Sequence, residues 1–176
     1  MAFTDPAKNL ESLGLHEGMI VADFGAGSGF YSLATARLVN PGGKVYAIDV
    51  QQDLLSRLKN AAHAQKLANV EVIHGDVEQP GGTRLQAHFV DAAIVSNLLF
   101  QIEHKDEFAA ELKRILKKGG KVLVIDWSES YGGMGPAAEH VMSQDKTQEL
   151  FSKHGFIQVS VIHPGDHHYG FVFKST

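Results

Sequence analysis

Hydrophobic positions along this chain switch repeatedly between two rhythms. Short, nearly continuous apolar runs occur at Met19–Phe24, Lys44–Asp49 (KVYAID), Val70–His74 and Phe89–Val95. Between them lie segments whose apolar residues recur every three or four positions. Runs of four to eight residues bounded by turns predict strands, and the longer spacing predicts amphipathic helices. Helices are expected over Phe30–Val39 and over Gln52–Leu67, where Leu54, Leu55, Leu58, Ala61, Ala62 and Leu67 share a face. Lys105–Lys118 sets Phe108, Leu112, Ile115 and Leu116 on one stripe, with Gly119-Gly120 behind it as a C-cap. Pro41-Gly42-Gly43 and Pro80-Gly81-Gly82 predict turns, because proline presets φ and glycine tolerates positive φ. Lys121–Trp127 (KVLVIDW) is almost wholly apolar, as a central parallel strand covered on both faces should be.

After Trp127 the rhythm changes. Ser130–Ala137 (SYGGMGPA) predicts a loop, and Ser143 caps a helix running to Ser152 with Gly155 as its stop. Phe156–Ile162 and Tyr169–Lys174 are then two strands joined by His163–His168 (HPGDHH). A parallel crossover needs about a dozen residues, so so short a link requires an antiparallel pair. The expectation is an α/β fold: a Rossmann-like three-layer sandwich with a seven-stranded, mostly parallel sheet and a C-terminal antiparallel hairpin.

A chain of 176 residues fits one domain, expected here over residues 1–176. The absence of cysteine excludes disulfides, cysteine-ligated zinc and a thiol nucleophile. The opening MAFTDPAKNL lacks a signal-peptide pattern, and no apolar run reaches the roughly 18–20 residues of a membrane span, so a cytoplasmic protein with no membrane partner is expected. A formal net charge of -4 argues against a nucleic-acid surface. The one basic cluster, Lys113, Arg114, Lys117, Lys118 and Lys121, falls where cations complement a helix C-terminus.

The chemistry concentrates at strand ends. Val21–Tyr31 (VADFGAGSGFY) runs a strand into a glycine turn and then a helix, an arrangement that brings backbone amides close to a ligand. The dinucleotide fingerprint is G-x-G-x-x-G; here Gly25, Gly27 and Gly29 alternate and Phe30 stands where its last glycine belongs. No G-K-[ST] follows, so this is not a Walker loop. Asp49, about 20 residues on and at a strand end, can accept hydrogen bonds from ribose hydroxyls, although an acid also suits a helix start. Asp76 can accept from an adenine amino group, with Val50 and Val77 as an apolar slot for the ring. Ser96 and Asn97 end the strand beside the first, where a substrate should arrive. Ligands of open α/β sheets sit beyond the carboxyl ends of strands, and all these residues fall there. An adenosine ligand fits; the residues alone leave NAD and S-adenosylmethionine both open.

In this order VADFGAGSG, YAIDV, HGDVE, VDAAIVSNLLFQIEH and LKKGGKVLVIDW resemble the motifs of class I S-adenosylmethionine-dependent methyltransferases, within the broad methyltransferase-domain group that includes the quinone-biosynthesis C-methyltransferases. The likeness covers about Met19–Trp127, and the closing hairpin resembles that family's last two strands. It implies S-adenosylmethionine as cofactor and S-adenosylhomocysteine as product. It implies that Asp23, Gly25, Ala26 and Gly27 lie beside the methionine moiety and that Gly29 begins the helix behind it. Asp49 would hold the ribose, Asp76 and Val77 the adenine, and Ser96 and Asn97 would lie near the methyl-transfer centre. The chain lacks the cysteines of the similar arsenite methyltransferases and much of the substrate cover of the quinone enzymes, so the implied partner is an unidentified small-molecule acceptor.

Other residues read more plainly. His163, His167 and His168 suggest a solvated turn rather than a metal site, since neighbours on a strand point to opposite faces. His104 and His140 are candidate general bases near the substrate side, neither singled out by the sequence. The Tyr131–Pro136 loop reads as a connector, with a lid as the alternative. Phe100, Phe108, Phe151 and Phe156 read as core. A homodimer, or a cofactor-binding partner subunit without catalysis, also fits; an NAD-dependent oxidoreductase fits less well, with no Tyr-x-x-x-Lys pattern.

Overall fold

A computed structural model describes residues 4–176. Asp5 accepts from the Ala7 amide and caps α1 (Pro6–Leu10), which runs into a 3₁₀ turn at Glu11–Leu13. The chain then alternates β1 (Ile20–Phe24), α2 (Phe30–Val39), β2 (Lys44–Asp49), α3 (Gln52–Ala64), β3 (Val70–His74), β4 (Val90–Ser96), α4 (Lys105–Ile115) and β5 (Leu116–Trp127). It closes with α5 (Gln144–Lys153), β6 (Phe156–Ile162) and β7 (His168–Ser175). The short N-terminal helix lies outside the sequence expectation; its apolar residues are too few to show a period.

The seven strands form one sheet in the order β3-β2-β1-β4-β5-β7-β6. The first five pair parallel, and β7 lies antiparallel between β5 and β6. Successive residues of a strand point to opposite faces, so Val21 joins a core with Leu10, Leu13, Ala36 and Val39, while Ala22 and Phe24 join one with Phe108, Leu112, Ile115 and Phe151. Helices α1 to α3 thus cover one face and α4 and α5 the other, which is the expected three-layer sandwich. The order in which strands are added reverses between β1 and β4, opening a crevice at their carboxyl ends.

Three boundaries differ from expectation. Helix α3 stops three residues before Leu67, where Lys66 takes φ 58°. Helix α4 ends at Ile115, and Gly119-Gly120 is no cap: Leu116 already pairs with Val90, Lys121 pairs with Ala92, and Lys117–Gly120 bulge out between them. Strand β7 begins at His168, because the β5 ladder continues to the Trp127–His168 pair. Phe108, Phe151 and Phe156 are core as expected, but Phe100 is half-buried.

The basic residues in the last turn of α4 and just after it mostly serve the fold. Lys113 Nζ donates to the Gly155 carbonyl and the Ser175 hydroxyl, both at 2.8 Å, and Lys117 meets Asp91 at 2.6 Å. Arg114 forks onto Glu111, whose carboxylate also accepts from the Gly81 and Thr83 amides and the Thr83 hydroxyl, tying Gly81–Leu85 to α4. Among the described residues no helix is long and apolar enough to cross a membrane.

Candidate functional site

Beyond Phe24 the backbone must turn sharply away from the sheet and re-enter as a helix. The Gly25 and Ala26 amides both donate to the Ile48 carbonyl, at 2.9 and 3.0 Å, which ties the turn to β2. Gly29 caps α2 at φ 82°, and a methyl group on it would lie 2.1 Å from Leu58 Cδ1. Helix α3 therefore packs directly on the turn. Only a residue without a side chain fits this position.

The turn is also held from the next strand. Asp49 Oδ2 accepts from the Gly27 amide at 2.9 Å and Oδ1 from the Gln51 amide at 2.8 Å. Each carboxylate oxygen has two acceptor positions, so each keeps one for a further donor. Asp76, at the end of β3, accepts from the Glu78 amide at 2.9 Å. Glu78 reaches across to accept from the Glu103 and His104 amides, at 2.8 and 2.6 Å, and so caps α4.

These strand ends surround a cavity of about 730 Å³, within the usual range for a small-molecule site. Asp23, Gly25, Ala26, Gly27, Asp49, Val50, Asp76, Val77, Ser96 and Asn97 all line it. Gly29 stands behind them as the helix cap. Its wall also holds Phe30, Tyr31, Gln101, Ile102, Trp127 and His168, with Thr4 and Pro6 bringing the N-terminal segment over the rim.

The wall is strongly one-sided in charge. Asp23, Asp49, Asp76 and Glu78 line it, and no lysine or arginine does among the described residues. A pyrophosphate at the turn would therefore meet carboxylates with no compensating cation. Asp23 is fully buried, with its Oδ2 accepting from the Ser32 hydroxyl at 2.6 Å. Burial pushes its carboxyl up to about 7; the Ser32 bond opposes this and the nearby Asp49 adds to it. Asp126, at the end of β5, is also buried and pushed up to about 6 by burial, against the pull of the Trp127 and Leu99 amides.

Two residues of the wall each carry a buried polar atom with no hydrogen-bond partner among the described residues, Asn97 Oδ1 and His168 Nε2, as do Thr35 and Asn69 away from the cavity. Asn97 takes φ 53°, a sparsely populated conformation for a side-chain-bearing residue. His168 packs against Trp127 with ring centroids 4.2 Å apart. The loop after β5 folds back through a Tyr131–Met134 bridge, and its Gly135 lies so close that a methyl there would stand 2.7 Å from the Trp127 ring.

The candidate bases His104 and His140 do not line the cavity. His104 caps α4 with an exposed side chain, and His140 lines a separate hollow with Phe100 and Met142. Of the hairpin histidines, His167 stacks on Tyr131 and meets Glu129 at 2.7 Å, and no metal-binding cluster occurs among the described residues. His168 is the histidine at the site. Its position rests on strand register, which the local sequence does not display; Trp127, at the carboxyl end of a core strand, could have been found by the strand-end rule.

The cavity fits an adenosine ligand that carries positive charge elsewhere. Asp49 and Asp76 offer acceptors at neighbouring strand ends, and Val50 and Val77 offer apolar surface. Residues 15–161 match the family described as methyltransferase domain. The ubiquinone/menaquinone biosynthesis C-methyltransferase UbiE of Pseudomonas entomophila is 28% identical over 121 residues, covering 68% of this chain and 46% of that protein. The chain thus spans about half the length of the curated relatives it matches. A SAM-dependent methyltransferase from Aquifex aeolicus superposes with a TM-score of 0.89 at 30% identity, covering 99% of this chain and 91% of that one. The [4+2]-cyclase SpnF, 16% identical with a TM-score of 0.82 over 97% of this chain and 79% of its own, shares the fold alone. With its motifs, sheet order and strand-end cavity in place over that span, this chain belongs to the methyltransferase-domain family.

Proposed function

We propose that this protein binds S-adenosylmethionine and transfers its methyl group to a small-molecule acceptor, leaving S-adenosylhomocysteine. The observation that carries the reading is the meeting of the alternating glycine turn, Asp49 and Asp76 around one cavity without a cation. Asp49 holds the ribose hydroxyls on its two remaining acceptor positions. Asp76 takes the adenine amino group, and Val50 and Val77 flank the ring. Asp23 faces the methionine end with the Gly25–Gly27 backbone, and Ser96 and Asn97 lie near the methyl-transfer centre. When bound, the cofactor supplies a methyl group already made electrophilic by its sulfonium.

The chain's own work is then orientation and exclusion of water. Good alignment of reacting atoms is worth roughly 7–11 kcal/mol of barrier. A rigid wall of β4, β5 and β7 residues provides it here. Thr4, Pro6 and the other lining residues limit the acceptor to a molecule that fits beside the cofactor in about 730 Å³. The scarcity of basic surface near the opening supports a small molecule over a nucleic acid.

Thermal unfolding tests the cofactor assignment. At about 100-fold excess over its dissociation constant, a ligand of the native state adds about 2.7 kcal/mol, a shift of roughly 5–10 °C for a chain of this length. S-adenosylmethionine and S-adenosylhomocysteine should produce it and NAD should not. A shift with NAD alone, or with none of the three, would overturn the proposal. Formation of S-adenosylhomocysteine in an acceptor screen with the purified protein tests the transfer itself.

A further inference from the structure

Asp126 lies fully buried at the end of β5, and it does not line the cavity. Its Oδ2 accepts from the Leu99 amide at 2.7 Å and its Oδ1 from the Trp127 amide at 2.8 Å. The Leu98 and Phe100 amides also favour its charged form. Among the described residues, the amides from Leu98 to Ile102 find no other partner outside their own segment. That segment shapes the site, because Leu98, Gln101 and Ile102 all line the cavity. Leu98 also packs on the glycine turn: a methyl on Gly25 would lie 2.7 Å from Leu98 Cδ1.

A charge so deep is a burden on the fold. Burial pushes the Asp126 carboxyl from 3.8 up to about 6, so at neutral pH the protein holds an ion that water would solvate better. An apolar side chain would avoid that cost but accept nothing. Asparagine would avoid it too, but it has one accepting oxygen where Asp126 uses two.

We infer that Asp126 is a positioning residue for the cofactor: its carboxylate holds the Leu98–Ile102 segment by the Leu99 amide, and the segment, through Leu98, holds the glycine turn in the shape that receives the ligand. The inference rests on the reading of the cavity as an S-adenosylmethionine site. The far end of the segment is held by Glu78 on the Glu103 and His104 amides. Glu78 lines the cavity itself, whereas Asp126 is a support that can be removed without taking a group from the wall. The titratable group facing Asp126 is Tyr169, its pair on β7. Burial raises that phenol, against the pull of its bond to Thr147, and the Asp126 charge raises it further.

Titration calorimetry of S-adenosylhomocysteine against Asp126→Asn, Leu98→Ala and the double variant tests the route. Asp126→Asn should weaken binding at least about tenfold alone and less than about threefold beside Leu98→Ala, where the tether no longer presses anything on the turn. Undiminished affinity in the folded Asp126→Asn protein, or an equal loss in both backgrounds, overturns the inference. Should the variant not fold, the wild-type protein decides through its Leu99 amide resonance, which must follow the Asp126 carboxyl with a midpoint of about 6. S-adenosylhomocysteine, whose amino and carboxylate charges cancel, should favour the ionised form about tenfold and so lower that midpoint by about one unit. An unmoved midpoint overturns the inference. Failure of S-adenosylhomocysteine to bind the wild-type protein strikes the cofactor reading instead. Hydrogen exchange without ligand then judges the tether: Asp126→Asn should free the Leu99 and Ile102 amides while β4 and β5 stay protected, and unchanged protection at Leu99 refutes it.

Discussion

Asp23→Asn separates the stability of the empty site from its affinity for ligand. In the unfolded chain this carboxyl ionises near 3.8, and in the folded protein burial holds its proton up to about 7. Between those values the unfolded state binds fewer protons than the folded one, so folding stability falls as pH rises. Each unit costs about 1.4 kcal/mol, reaching about 4 kcal/mol at and above pH 7. Asparagine has the same shape, stays neutral and can still accept from the Ser32 hydroxyl. The variant and the wild-type protein should therefore melt together near pH 4. The variant should gain steadily up to pH 7 and hold a constant advantage beyond. At about 2–4 °C per kcal/mol for a chain of this length, the plateau difference is at most roughly 8–16 °C. Binding should move the opposite way, because a cationic ligand loses its buried partner, a loss worth about 2–5 kcal/mol. Unfolding by heat from pH 4 to 8, with titration calorimetry of S-adenosylhomocysteine at pH 8, checks both halves. A stability difference that does not vary with pH would refute the protonated carboxyl, and undiminished affinity would remove Asp23 from the methionine end.

Other perturbations test the remaining supports. Asp49→Ala removes the acceptor for the Gly27 and Gln51 amides as well as for ribose, so the melting shift with S-adenosylhomocysteine should vanish at concentrations that saturate the wild-type protein; a full shift refutes the ribose role. Gly29→Ala forces a methyl against Leu58 and a side chain into positive φ, costing about 2–4 kcal/mol by denaturant unfolding. In a Leu58→Ala background the same change should cost only the backbone part, about 1–2 kcal/mol, and equal costs in both backgrounds would show that the clash is not the cause. Glu111→Gln should destabilise the protein at pH 7 but not near pH 2. Burial raises the Glu111 carboxyl, but Arg114, Thr83 and the Gly81 amide outweigh it and hold the group down to about 2. Stability from that network is complete above the unfolded value of 4.5 and is lost as pH falls toward 2, so a variant penalty unchanged across that window would refute it.

Much of this architecture is visible in local pattern because its causes are local. Apolar runs between turn residues become strands, and the link between β6 and β7 is too short for anything but a hairpin. The alternating glycines announce the turn because a side chain at Gly29 would strike Leu58. What sequence pattern misses is set by pairing between distant segments. Leu116 continues the helical stripe of α4, yet it pairs with Val90, and the glycines that read as a cap instead allow a four-residue bulge. His168 reads as one of three hairpin histidines until the β5–β7 register places it opposite Trp127. The part of the cavity that the motifs mark is built at the ends of β1, β2 and β3, each followed in sequence by its own loop. Its β5 and β7 side brings together residues about 40 apart in the chain, and so leaves no motif.

The energetics separate along another line. Unpartnered buried polar atoms occur both in residues of the cavity wall, Asn97 and His168, and away from it, at Thr35 and Asn69, whereas Asp23, whose carboxyl burial pushes up to about 7, is a cost carried at the cavity itself. The networks that bind charge well lie outside it, in Glu111 with Arg114 and Thr83 and in Lys113 with the chain's end. A cationic ligand group that reaches Asp23 should stabilise this protein beyond the contact area alone, because pairing with the carboxylate relieves a cost the empty fold carries.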